Sequence, residues 1–191
     1  MRFIILVGPK HSGKTSAGKV LAGILPCGFV DLDELVAQRS GKSPRALYGE
    51  GPEIFRKAEA GALAALFESG TANPLPSLVI ASGGGLVDNP DALSLLEQNS
   101  AAGHLQIISV FLDVSVKTAW DRIKTAGELP PFLKTENPQE THRSLHERRA
   151  AAYRQLASLV INADDKSPPE IAQEIADRLR DENCTLPPNS L

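Results

Sequence analysis

Eight consecutive residues, Gly8-Pro9-Lys10-His11-Ser12-Gly13-Lys14-Thr15, satisfy the pattern G-x-x-x-x-G-K-[ST]. They lie between an apolar run, Phe3-Ile4-Ile5-Leu6-Val7, and a helical pattern that starts at Lys14. That context is the one a phosphate-cradling loop requires. Backbone N–H groups turn inward around a polyphosphate, and the following helix adds its positive end. Glycines permit the turns that a side chain would obstruct. Lys14 supplies a point charge at the β and γ phosphates, and the Thr15 hydroxyl is available to Mg2+. Ser16 completes the nucleotide-facing stretch. A G-x-G-x-x-G dinucleotide turn is excluded, because its glycines are missing.

A second group of reactive residues follows a short apolar segment, Gly28-Phe29-Val30, which ends on Asp31-Leu32-Asp33. Open parallel sheets bind ligands beyond the carboxyl ends of their strands, where these carboxylates are expected. Period-two alternation puts Asp31 and Asp33 on one side. One of them is then placed for the magnesium ion and the other for a substrate hydroxyl. A helix cap is the competing use of either residue. Arg56 and Glu59, three apart on a helix, form either a solvated ion pair or an anion clamp through the arginine. Leu78-Val79-Ile80-Ala81 runs into Ser82-Gly83-Gly84-Gly85, where bare backbone either turns sharply or meets a ligand. His142 and His146 are four apart without a further metal ligand, so no metal centre is expected there.

These residues require a scaffold of strands alternating with helices. Strands are expected at 3–7, 28–30, 78–81, 106–112 and 159–162. Helices are expected at 14–25, 34–39, 44–48, 52–68, 90–97, 115–125, 142–156 and 168–179. Ser167-Pro168-Pro169-Glu170 carries the capping box of the last helix. Five strands separated by helices imply a three-layer α/β fold around a parallel sheet. The proline-rich segment 127–139, Gly127 to Gln139, has the composition of a lid that excludes water from the site.

The bulk properties narrow the function classes. The chain has 191 residues, 42% hydrophobic composition and a formal net charge of -3. That suits one domain, here 1–183, with substrate-binding helices at about 34–68, a lid at about 127–141 and a disordered polar tail at 184–191. No basic block points to nucleic acid, and no apolar stretch approaches a membrane span. Cys27 and Cys184 build neither a disulfide framework nor a metal cluster, in keeping with a cytoplasmic protein.

Taken together, the phosphate loop, Phe29-Val30-Asp31-Leu32-Asp33, Phe55-Arg56-Lys57-Ala58-Glu59, Gly83-Gly84-Gly85 and Arg149-Ala150-Ala151-Ala152-Tyr153 resemble the shikimate kinase family. The resemblance spans about Phe3 to Leu179. It implies sheet order 2-3-1-4-5, ATP and Mg2+ as cofactors, and transfer of the γ-phosphoryl group to the 3-hydroxyl of shikimate by a monomer. Carried over residue by residue, Asp33 binds the shikimate hydroxyls and activates the accepting oxygen, while Asp31 acts around magnesium with Thr15. Arg56 and Arg149 hold the substrate carboxylate beside Gly83, Gly84 and Gly85, and Arg122 flanks the adenine. Lys14, Asp33 and Arg149 are the catalytic set. Two positions depart from the family. Gly51-Pro52 stands where Gly-Glu is usual, and Pro130-Pro131-Phe132-Leu133 stands where the lid usually opens Arg-Pro-Leu. The closing charge then has to come from Lys134, Arg143 or Arg148. The other readings are a kinase for a different small hydroxylated acid, a polyol or a nucleotide, and a nucleotide-binding protein without catalysis.

Overall fold

A computed structural model describes residues 1–72, 77–101, 105–127 and 129–185. In chain order the elements are β1 (Arg2–Val7), α1 (Lys14–Ile24), β2 (Gly28–Asp31), α2 (Leu32–Ser40), α3 (Pro44–Glu50) and α4 (Pro52–Ala72). They continue with β3 (Ser77–Ala81), α5 (Pro90–Ala101), β4 (Gln106–Asp113), α6 (Val116–Thr125), α7 (Pro138–Leu156), β5 (Leu159–Asn162) and α8 (Pro168–Thr185). Single 3-10 turns occupy Leu86–Asp88 and Pro131–Leu133.

The five strands form one parallel sheet in the order β2-β3-β1-β4-β5, as expected. β1 is central because it carries no polar residue from Phe3 to Val7, all of which are fully buried. Its side chains alternate between two separate cores. Phe3, Ile5 and Val7 enter the core shared with α4, α5 and α7, whereas Ile4 and Leu6 enter the one shared with α1, α6 and α8. Three layers result, and both faces of the sheet are covered. Gly18 of α1 decides how closely that helix approaches. A Cβ there would sit 2.6 Å from the Phe29 ring, so the small residue is a packing requirement.

Several boundaries differ from the sequence reading, and local hydrogen bonds explain most of them. The strand stops at Asp31, because its carboxylate accepts from the backbone N–H groups of Asp33 and Glu34 and caps α2. Asp33 therefore lies in the first turn of a helix, not on a strand in alternation with Asp31. α4 continues through Thr71 and Ala72, which were expected in a loop. α7 begins at Pro138 instead of His142, capped by Asn137 with a proline in its first turn, so the lid is shorter than the composition suggests. The Ser167–Glu170 capping box is present, with Ser167 N–H donating to Glu170 at 2.7 Å. α8 runs on through Thr185, so residues 184 and 185 belong to a helix and not to the expected tail. The rest of that tail, 186–191, lies outside the described residues. Among the described residues no helix is long and apolar enough to cross a membrane.

Candidate active site

The carboxyl ends of β1, β2 and β3 open onto one cavity of about 880 Å³. The loop after β1 forms its floor. Gly8 has φ +146°, and a Cβ on it would come within 2.8 Å of the Leu112 carbonyl oxygen. Gly13, with φ +98°, precedes α1 in the left-handed region. Both positions need glycine, one for space and the other for its backbone angle. The Lys14 side chain is buried, and its ammonium donates to the carbonyls of Gly8 (2.9 Å) and Pro9 (2.7 Å) and to Ser12 Oγ (3.3 Å). Burial lowers its pKa to about 8, against the opposing pull of Asp33 and Asp31. The loop thus satisfies its own cation through its carbonyls and Ser12.

Beside Lys14, Thr15 Oγ1 donates to Asp31 Oδ2 at 2.7 Å, while Asp31 Oδ1 accepts from the start of α2. A hydroxyl and a carboxylate oxygen side by side are hard donors suited to Mg2+. Among the described residues no group of three or more His, Cys, Asp or Glu side chains gathers to hold a metal alone. Arg122 of α6 reaches the other side of the loop, donating to His11 O (3.2 Å) and to the carbonyls of Ala163 (3.1 Å) and Asp164 (3.0 Å). It ties the phosphate loop to the segment after β5 and also lines the cavity.

The opposite wall is built from side chains of several elements. Asp33 Oδ1 and Glu59 Oε1 are buried without hydrogen-bond partners. A Cβ on Gly83 would lie 2.9 Å from the first and 3.0 Å from the second, so both oxygens converge on the bare backbone after β3. Burial raises the Asp33 pKa, with Asp31 adding to it. Burial likewise pushes Glu59 up to about 7, although a hydrogen bond from Asn89 opposes the rise. Asn89 bonds Glu59 Oε2 and the Arg56 carbonyl, each at 2.9 Å, and so fixes this part of α4. Two acceptor atoms left buried and unpaired are costly unless a ligand supplies donors.

Arg56 and Arg149 both line the cavity. Tyr153 anchors the helix that carries Arg149. Its ring stacks on Phe111 with centroids 5.1 Å apart, and its hydroxyl donates to Gly84 O at 2.7 Å. Four residues upstream, on the same face of α7, the Arg149 guanidinium approaches Gly85 and lies 5.9 Å from the Phe132 ring centroid. Asp88 accepts from Arg149 and from its neighbour Arg148.

The structure brings together the site residues read from the sequence. Lys10, His11, Gly13, Lys14, Thr15, Ser16, Asp31, Asp33, Arg56, Gly83, Gly84, Gly85, Arg122 and Arg149 all line the cavity. Gly8, Pro9 and Ser12 stand behind them, holding Lys14. Glu59 is not the solvated partner of Arg56; it is 1% exposed and forms no ion pair with Arg56 among the described residues. Of the three cations considered for the closing charge, Arg143 is exposed and pairs with Glu140, and Lys134 is exposed and outside the cavity lining. Arg148 does line the cavity, as does Pro130. Asp88 and Tyr153 were not singled out as site residues. Asp88 follows the glycines in a turn without a sequence signature, and Tyr153 enters the sequence reading only as the end of the Arg149-Ala150-Ala151-Ala152-Tyr153 stretch, with no role of its own.

Comparison with known proteins gives a consistent picture. The sequence model of the family described as shikimate kinase matches residues 10–180. The shikimate kinase of Sulfurihydrogenibium sp. (strain YO3AOP1) is 35% identical over 181 residues, covering 94% of this chain and 99% of that protein. The shikimate kinase of Marinomonas sp. (strain MWYL1) is 33% identical, with 93% and 91% covered. Among solved structures, the shikimate kinase from Acinetobacter baumannii in complex with shikimate superposes with a TM-score of 0.79 at 29% identity, covering 94% of this chain and 93% of that one. The shikimate kinase from Aquifex aeolicus gives 0.73 at 28% identity, with 97% and 100% covered.

Proposed function

The chain belongs to the shikimate kinase family, and we propose that it transfers the γ-phosphoryl group of ATP to the 3-hydroxyl of shikimate. The observation that carries this reading is Asp33 Oδ1, buried without a hydrogen-bond partner beside Gly83, in the cavity that Lys14, Arg56 and Arg149 also line. A carboxylate that shares one cavity with Arg56 and Arg149 matches a substrate with hydroxyl donors at one end and a carboxylate at the other.

Lys14 is the cation of the donor half. Its contacts with the Gly8 and Pro9 carbonyls are exchanged for the phosphate oxygens of ATP, which lifts the depression of its pKa by replacing neutral partners with charged ones. Thr15 and Asp31 would hold Mg2+, which when bound neutralises phosphate charge. The cap formed by Asp31 keeps its second oxygen on α2, so one residue both starts the helix and faces the metal position.

Asp33 is the residue placed to receive the proton of the accepting hydroxyl. Its raised pKa makes it a stronger base than an exposed carboxylate. Because phosphoryl transfer asks little covalent chemistry of the protein, the remaining groups act by position and charge. Arg56 and Arg149 fix the substrate carboxylate through planar guanidinium contacts. Phe132 lies against Arg149 and, with Leu129 and Pro130, covers the cavity on the lid side. Pro130 brings no charge, and of Lys134, Arg143 and Arg148 only Arg148 lines the cavity, where Asp88 holds it.

A coupled ADP-release assay tests the assignment across shikimate, quinate, gluconate and nucleoside monophosphates. ADP release that depends on shikimate, with kcat/KM at least about tenfold above the other acceptors, is the expected result. Equal turnover of all acceptors, or release with a nucleoside monophosphate alone, would overturn it.

A further inference from the structure

The Asp88 carboxylate accepts three hydrogen bonds from two guanidinium groups and makes a further ion-pair contact with Arg149 Nη2. Arg149 Nε and Nη2 reach Oδ2 at 2.8 and 2.7 Å, Arg148 Nη1 reaches Oδ1 at 2.7 Å, and Arg148 Nη2 reaches Oδ2 at 3.0 Å. Asp88 and Arg149 are nearly equally shielded, at 18% and 19% exposure, while Arg148 is 59% exposed. Arg149 is thereby held on three sides, by Asp88 along one edge, Gly85 beside Nη2 and Phe132 near its face. Among the described residues no partner is placed on Nη1, which is the edge left for a ligand.

We infer that Asp88 is a positioning residue of the acceptor site, setting the orientation in which Arg149 presents its free edge to the substrate carboxylate. The inference rests on the acceptor assignment made above and deepens it. A free arginine side chain has several rotamers, and the rotamer freedom of Arg149 would be lost on every binding event if nothing held it beforehand. Asp88 removes that loss in advance, since a carboxylate bonded to Nε and Nη2 leaves the guanidinium plane one orientation. It also offsets one of two adjacent positive charges, so the pair carries a single net charge toward the incoming anion. Burial alone would raise the Asp88 pKa, but the hydrogen bonds and charges of Arg148 and Arg149 outweigh it and lower the pKa, so the carboxylate stays ionised at neutral pH.

The opposite possibility is a carboxylate that competes with the substrate for Arg149, and the two differ in sign. The test compares wild type, D88N and D88E by calorimetry with shikimate and with its carboxamide, alongside steady-state kinetics. In D88N the preference for acid over amide is expected to fall about tenfold, the loss of one charge-assisted contact. KM for shikimate rises by a similar factor, while KM for ATP and kcat stay within about twofold. D88E restores part of the preference. A preference that is unchanged, or that rises in D88N, overturns the inference, and so does an equal loss of acid and amide, which marks a merely structural role. If D88N does not fold, the D88E preference decides alone. A wild-type protein that binds neither ligand overturns the acceptor assignment together with this inference; one that binds the acid without turnover overturns only the kinase reading.

Discussion

The two halves of the cavity are built in opposite ways. The donor half is almost entirely one stretch of chain, Gly8 to Thr15, and its groups are largely backbone. The proposed acceptor half draws Asp33 from α2, Arg56 from α4, with Glu59 buried behind it, the glycines and Asp88 from the segment after β3, and Arg149 from α7. Local geometry therefore suffices for the first, whereas the second exists only once several helices have packed. The consequence is energetic as well as geometric. The donor loop satisfies its cation internally, through the Gly8 and Pro9 carbonyls, while the acceptor wall keeps two buried carboxylate oxygens unpaired.

The sharpest way to separate the halves is K14A. Turnover should fall by about 10³-fold or more, because a cation at the transferring phosphate is removed. Calorimetric binding of shikimate should change by no more than about threefold, through the loss of a charge that lowers the Asp33 pKa. Loss of shikimate binding in K14A would show that the two halves are a single unit.

The glycine turn is where they touch, and two single substitutions distinguish its neighbours. A Cβ at position 83 meets only acceptor carboxylates, at 2.9 and 3.0 Å, so G83A should raise KM for shikimate about tenfold and spare KM for ATP. A Cβ at position 84 would lie 3.0 Å from the backbone nitrogen of Lys10, in the phosphate loop. G84A should accordingly raise both KM values. Steady-state kinetics with each substrate varied would contradict this division if G84A affected shikimate alone.

The smallest expected effect concerns stability. Glu59 has a folded pKa near 7, above its ordinary value of 4.5. Between those pH values the folded state binds more protons than the unfolded one, so this group's contribution to stability falls as pH rises through that window. Below about pH 4.5 the carboxyl is neutral in both states and the penalty is absent. E59Q should flatten this decline, by on the order of 1–3 kcal/mol across the window, in urea unfolding followed as a function of pH. An E59Q profile parallel to wild type would mean that burial does not strain Glu59.

The division between the halves is also the division in what the chain discloses before folding. Lys14 and Thr15 could be given their proposed roles from the sequence, because a phosphate loop works through spacing along eight residues and the strand and helix that flank it. The five strands and their helices were legible for a similar reason, since β1, β3 and β4 are apolar runs bounded by glycine, proline and capping residues. Asp33, Arg56 and Arg149 could be named through a family resemblance, but spacing left each with a structural alternative. Glu59 reads on the helix as a partner for Arg56, and only the packing of α4 against α5 shows it turned inward onto Asn89.

The sequence by itself determined the phosphate loop and the layer architecture, and through a family resemblance it named Asp33, Arg56 and Arg149. Tertiary structure alone decided which of those residues face one another. Asp88 meets Arg149 across 61 positions, and Tyr153 reaches Gly84 across 69. No periodicity encodes such pairs, because they depend on how α7 is seated over β4 and the glycine turn, with the stacking of Tyr153 on Phe111 fixing its place. The phosphate loop needs only its own backbone angles, while the acceptor site depends on the packing of the whole molecule.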